Sequence, residues 1–131
     1  MSGFLVRTIV LIQVAGVFCT TELSAQAKYA KHTVTYRKTD GHQILADVYR
    51  PADEVIRPVV VWIHGGALMM GHRGSVKPQI MRLAEKQGYA VVSIDYRLAP
   101  ETKLPEIVSD IEAAFKWLAH DGASKFYLDP G

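Results

Sequence analysis

The sequence predicts an α/β fold: an open, mostly parallel sheet that starts with an N-terminal β-hairpin and carries helices on both faces. Three observations lead there. Two β-rich runs flank an Asp40-Gly41 pair, two later runs (Val59–Ile63, apolar at every position, and Ala90–Ile94) read as buried strands, and each of those is followed by residues repeating at helical spacing. Strand, helix, strand, helix in succession implies parallel strands joined by right-handed crossovers, since only that hand lets the helix pack back on a twisted sheet.

From Thr33 to Lys38 the chain alternates, with Val34 and Tyr36 on one face and Thr33, Thr35 and Arg37 on the other. Ile44 to Tyr49 is the second run, and Asp40-Gly41 between them predicts a tight turn. Pro51 ends that strand, and Pro58 opens Val59-Val60-Val61-Trp62-Ile63, whose unbroken apolar character predicts a strand buried on both faces. Val76, Ile80, Leu83 and Ala84 follow helical spacing, with Ser75 where an N-cap would stand and Gly88 as the stop. Ala90 to Ile94 predicts a further buried strand, and Ile107, Val108, Ile111, Ala114, Phe115 and Leu118 form one face of a long amphipathic helix.

Residues 1–27 read differently. Arg7 precedes an apolar run from Ile9 to Phe18, and Ala25-Gln26-Ala27 is a small-x-small site, the pattern of a secretory signal peptide cleaved before Lys28. Gln13 interrupts the run, which is short of the roughly 20 residues needed to cross a bilayer, so no stable membrane span is expected after cleavage. The expectation is an exported protein, periplasmic or extracellular. Cys19, the only cysteine, lies in that leader, which leaves the mature chain without a disulfide or a thiol nucleophile.

Composition is that of a globular protein, 49% hydrophobic and 21% charged in 131 residues. The net charge of +2 comes from basic residues scattered along the chain, which gives nucleic-acid binding no support. No His or carboxylate pair has ligand spacing such as H-E-x-x-H, so no metal is expected.

Open α/β sheets place their sites beyond the C-terminal ends of strands, which directs attention to the residues after Ile63 and after Ile94. His64-Gly65-Gly66-Ala67 follows the first. Two glycines there let the backbone bend sharply and aim N–H groups outward, a pocket suited to the oxyanion of acyl transfer. The bland alternative is that they only turn the chain. Leu68, Met69 and Met70 could line an acyl pocket or pack beneath the loop. Asp95, Arg97 and Glu101 follow the second strand; with no nucleophile beside a base among them, they read better as scaffold than as a substrate clamp. His32, His42, His72 and His120 sit among polar residues and read as surface positions.

Taken together, His64-Gly65-Gly66-Ala67, then Asp95-Tyr96-Arg97-Leu98-Ala99-Pro100-Glu101, then Leu104-Pro105 and Asp110 resemble the hormone-sensitive-lipase-like esterases, from about Val59 to Gly131. The resemblance implies an α/β-hydrolase fold, a serine nucleophile, small-molecule carboxylic-ester substrates and no cofactor. It carries over the backbone N–H groups of Gly65 and Gly66 as oxyanion-hole donors, beside which the Ala67 N–H survives as a third, and His64 as a brace of their loop; Leu68 and Met69 are pocket candidates from their place in the loop. Ala67 replaces the commoner third glycine, and its methyl group is expected to require an ordinary φ. The triad order Ser…Asp/Glu…His places the base far downstream, so His64 is not assigned to it.

No G-x-S-x-G occurs: Ser75 precedes a predicted helix, Ser93 lies inside a predicted buried strand, and Ser109 and Ser124 lack flanking glycines. In the resembled family the segment corresponding to Phe126–Gly131 leads into the strand that bears the catalytic serine. Residues 28–131 are therefore expected to be the N-terminal part of an α/β-hydrolase domain, cut before the nucleophile elbow and inactive alone. The alternatives are a non-catalytic binding protein of the same fold, or a secreted polysaccharide acetyl esterase or peptidase.

Overall fold

The computed structural model describes residues 28–131; the expected signal peptide, with Cys19 and the cleavage site, lies outside the described residues. Five strands form one sheet in the order β1-β2-β4-β3-β5: β1 Tyr29–Thr39, β2 His42–Pro51, β3 Arg57–Ile63, β4 Ala90–Ile94 and β5 Leu128–Asp129. The helices are α1 Pro78–Gln87, α2 Leu104–Trp117 and the short α3 Ala123–Phe126, with a π-helical turn Leu118–Gly122 between the last two. No helix among the described residues is long and apolar enough to cross a membrane.

The hairpin forms where Asp40-Gly41 predicts it. Thr39 pairs with His42, and both loop residues are left-handed, φ 44° and 77°, the geometry that matches strand twist. Its alternation fails at one point. The register steps from Thr35 opposite Leu45 to Arg37 opposite Ile44, so Tyr36 is the extra residue of a β-bulge. Arg37, expected on the face opposite Tyr36, instead reaches α2 as Tyr36 does: its guanidinium lies 2.9 Å from Asp110, and the Tyr36 ring packs near Trp117.

β2 runs antiparallel to β4, and β3 runs parallel to both β4 and β5, with Val59 opposite Ala90 and Ile63 opposite Ile94. β4 is buried throughout. β3 was expected to be equally buried but is only half so, because β4 borders it on one side from Val59 to Ile63 while β5 borders it on the other only at Arg57 and Pro58.

Ala46, Val48, Ala90, Val92 and Ile94 build the core with Ala114, Leu118 and Phe126 on one face of the sheet. Asp47 and Ser93, one residue out of phase, point to the other face and the segment that leads into α1. Helices thus cover both faces, as expected. Two details of those helices differ. α1 begins at Pro78 with Lys77 as N-cap, and Ser75 belongs to a 3-10 turn, Arg73–Ser75; Gly88 ends α1 in the left-handed conformation as expected. In α2 the buried stripe runs through Ile107, Asp110 and Ala114, whereas Val108 and Phe115, each one position further on and so about 100° round the axis, face outward.

Candidate functional site

β3 ends at Ile63 and delivers His64 into a buried position. The His64 ring stacks on Tyr96, centroids 4.3 Å apart and planes 10° from parallel. Its Nδ1 lies 3.0 Å from the Gly65 carbonyl; a carbonyl can only accept, so this contact puts the proton on Nδ1. The Tyr96 hydroxyl donates to the His64 carbonyl at 2.9 Å, and burial pushes its pKa up, keeping it a neutral donor. His64 is thereby held from both ends by the loop that follows β4.

Beyond His64 the chain folds back on itself. Gly66 has φ +127°, and a Cβ there would overlap the Met70 carbonyl, so only glycine fits. Its carbonyl accepts from the N–H groups of Met69 and Met70 at 3.0 and 3.1 Å. Gly71 lies so close to the His64 ring and the Gly65 carbonyl that a Cβ would overlap both. The N–H groups of Gly65, Gly66 and Ala67, by contrast, donate to no acceptor among the described residues.

Ala67 does not keep the ordinary φ expected of it. Ala67 and Leu68 have φ 52° and 63°, both left-handed, because the two central residues of the Gly66–Met69 turn must reverse the chain with its carbonyl pointing inward. Leu68, Met69 and Met70 do not pack beneath the loop: they are 37, 59 and 64% exposed. The Leu68 carbonyl accepts from the Ala99 N–H at 2.8 Å, a second tie to the loop after β4.

Asp95, Arg97 and Glu101 do not pair with one another. Asp95 takes the backbone N–H of Arg73 at 2.7 Å and a guanidinium nitrogen of the same residue. Arg97 grips the fully buried Asp110 through Nε at 2.8 Å and Nη2 at 3.0 Å, while its own N–H donates to the same carboxylate. For Asp95 and Arg97 these are scaffold contacts, as the sequence suggested. A polar cleft of about 530 Å³ opens between the hairpin turn and this loop, walled by Asp40, His42, Arg97 and Glu101 among others; none of the residues from His64 to Met70 lines it.

Sequence reasoning missed Asp47 and Arg73. Asp47 is buried on β2, where it accepts from Thr33 at 2.7 Å and from Arg73 Nε at 3.0 Å and pairs with Lys31 at 2.9 Å. Burial alone would raise its pKa, but those hydrogen bonds and the Arg73 charge outweigh burial and hold it below the usual carboxylate range. The available signal was a charged residue between Ala46 and Val48 in an otherwise apolar strand; for Arg73 the sequence offers none.

A mixed sheet with helices on both faces and a parallel pair at its centre is the architecture of the α/β-hydrolases, and solved structures agree. A bacterial heroin esterase superposes with TM-score 0.68 at 31% identity over 84% of this chain and 35% of its own. The Pyrobaculum calidifontis esterase does so with TM-score 0.63 at 40% identity over 78% of this chain and 32% of its own. Residues 46–131 match the BD-FAE family, and the chain belongs to it. Among curated relatives, the non-reducing polyketide synthase nvfA of Aspergillus novofumigatus is 39% identical over 92 residues, 66% of this chain and 4% of that protein. Trt4 of Aspergillus terreus, another such synthase, is 34% identical over 89% of this chain and 5% of its own length. The chain thus spans about a third of the esterases and about a twentieth of the synthases.

Proposed function

We propose that this chain carries the oxyanion-hole half of a serine carboxylic-ester hydrolase that acts on small-molecule esters. One observation carries the reading: the adjacent N–H groups of Gly65, Gly66 and Ala67 have no acceptor among the described residues, at the C-terminal end of a parallel strand. Charge that develops on a carbonyl oxygen in acyl transfer needs such fixed donors, which do not reorganise during the reaction. His64 braces them, and the exposed Leu68 and Met69 are the apolar surface nearest to them in sequence. Since G-x-S-x-G is not found in these 131 residues, the nucleophile, acid and base of this reading come from residues outside them, and the 131-residue chain alone hydrolyses no ester. Export through cleavage before Lys28 belongs to the same reading.

The test uses the full-length gene product. Gly66→Pro deletes one donor and lowers kcat by about 10²–10³. His64→Ala costs rate and thermal stability together, while the pH profile of kcat/KM keeps the ionisation of a histidine elsewhere; its loss with folding intact would make His64 the base. Residues 28–131 alone stay unlabelled by a fluorophosphonate probe, and stoichiometric labelling would place the nucleophile within them. Full-length protein that neither hydrolyses a short-chain nitrophenyl ester nor takes the probe would favour a non-catalytic binding role.

A further inference from the structure

We infer that Arg73 is the positioning residue of the Gly65–Gly71 loop, clamping its far end to two strands so that the three free N–H groups keep one direction. The inference rests on the oxyanion reading of that loop. The near end is fixed by β3. The far end has no strand of its own: after Gly71 the chain passes through His72 into the 3-10 turn Arg73–Ser75. Arg73 is tied there at its backbone and at both arms of its side chain. Its N–H donates to Asp95 Oδ1 at 2.7 Å, its carbonyl accepts from Ser93 Oγ at 2.6 Å, its Nε reaches Asp47 Oδ1 at 3.0 Å, and its Nη1 reaches Asp95 Oδ2. One side chain thus spans a buried carboxylate on β2 and a second just past β4, while its backbone is held by Ser93 of β4.

The ties transmit to the loop through Gly71. That residue stands two positions before Arg73 and in contact with the His64 ring and the Gly65 carbonyl. While Arg73 is held, Gly71 cannot leave Gly65, and the fold of Gly66 around Met69 and Met70 is confined between them. The guanidinium fork suits the task, since its Nε and Nη1 present donors in fixed directions to two carboxylates at once, whereas an ammonium is a single point charge without that geometry. Asp47 and Asp95 are balanced by Arg73 together with Lys31, which pairs with Asp47 at 2.9 Å, so the clamp leaves no net charge beside the loop.

The experiment compares Arg73→Met and Arg73→Lys in the full-length protein by hydrogen exchange of segment 64–72, with α2 as the internal reference, and by steady-state kinetics on a short-chain nitrophenyl ester. In Arg73→Met the loop amides exchange faster while α2 does not change, and kcat falls by about 10²-fold with KM nearly constant, because donors slightly out of place still admit substrate. Arg73→Lys recovers part of both, since it restores one tie of two. Loop exchange unchanged in both variants, equal acceleration of loop and α2, or a raised KM with kcat intact would each overturn the inference. If Arg73→Met fails to fold, Arg73→Lys decides by the same criteria. If the unaltered protein hydrolyses no ester, the oxyanion reading fails, and loop exchange alone decides the role of Arg73.

Discussion

Ala67 and Leu68 adopt left-handed φ without being glycine, which costs an L-residue about 1–2 kcal/mol each. Ala67→Gly removes that cost, against about 0.5–1 kcal/mol of added chain entropy, so a net gain of up to about 1.5 kcal/mol in a urea titration is expected. Ala67→Val should lose stability, because a β-branched side chain tolerates this conformation least. Asp47 makes a prediction about acid. Its folded pKa lies below the unfolded value of about 3.9, so the unfolded chain binds the proton first, and its contribution is present above about pH 4 and lost as pH falls through the folded pKa. Asp47→Asn should flatten the acid limb of a stability-versus-pH curve; an unchanged limb would mean that other carboxylates set it.

At the scale of elements, α2 is docked by a polar contact as much as by its apolar stripe. Asp110 is fully buried on that stripe, accepts from Arg97 of the loop after β4 and is ion-paired with Arg37 of β1, so one carboxylate joins three elements. Asp110→Asn leaves both guanidinium groups short of their counter-charge and should cost about 3–5 kcal/mol in a denaturant titration, the range for breaking one side of a buried pair. A loss under about 1 kcal/mol would show that α2 docks through Ile107, Ala114 and Leu118 alone. The same element explains a misreading of the sequence. Spacing assigned Val108 and Phe115 to its buried face, but periodicity fixes only which residues share a stripe, and the partner surface fixes how wide that stripe is.

For the molecule as a whole, the tyrosines define the alkaline limit. Burial raises the pKa of Tyr29, Tyr36, Tyr49 and Tyr96, most of all Tyr36, whose neighbours Asp110 and Asp95 add to the effect. A raised folded pKa means that the stability it contributes is present below about pH 10 and is lost as pH rises through the folded value. Thermal stability should therefore fall from about pH 10 upward, less steeply in Tyr36→Phe, which gives up the hydrogen bond to the Asp95 carbonyl but has no phenol to titrate.

By itself the sequence determined the class of fold, the hairpin turn at Asp40-Gly41, the buried strand Ala90–Ile94, the stop at Gly88 and the His64-Gly65-Gly66 turn at the end of a parallel strand. Each of these is set within a few residues, by alternation, by helical period or by the φ that glycine allows, and a linear pattern records such preferences. The tertiary structure alone decided that Tyr36 is a bulge that turns Arg37 toward Asp110, that Ala67 is left-handed, and that Arg73 joins Asp47 to Asp95. Arg73 lies 26 residues from Asp47 and 22 from Asp95, and its ion pairs form only because the sheet brings β2 beside β4. Coulombic attraction depends on distance in space, and a sequence carries no record of that distance until the strands have chosen their neighbours.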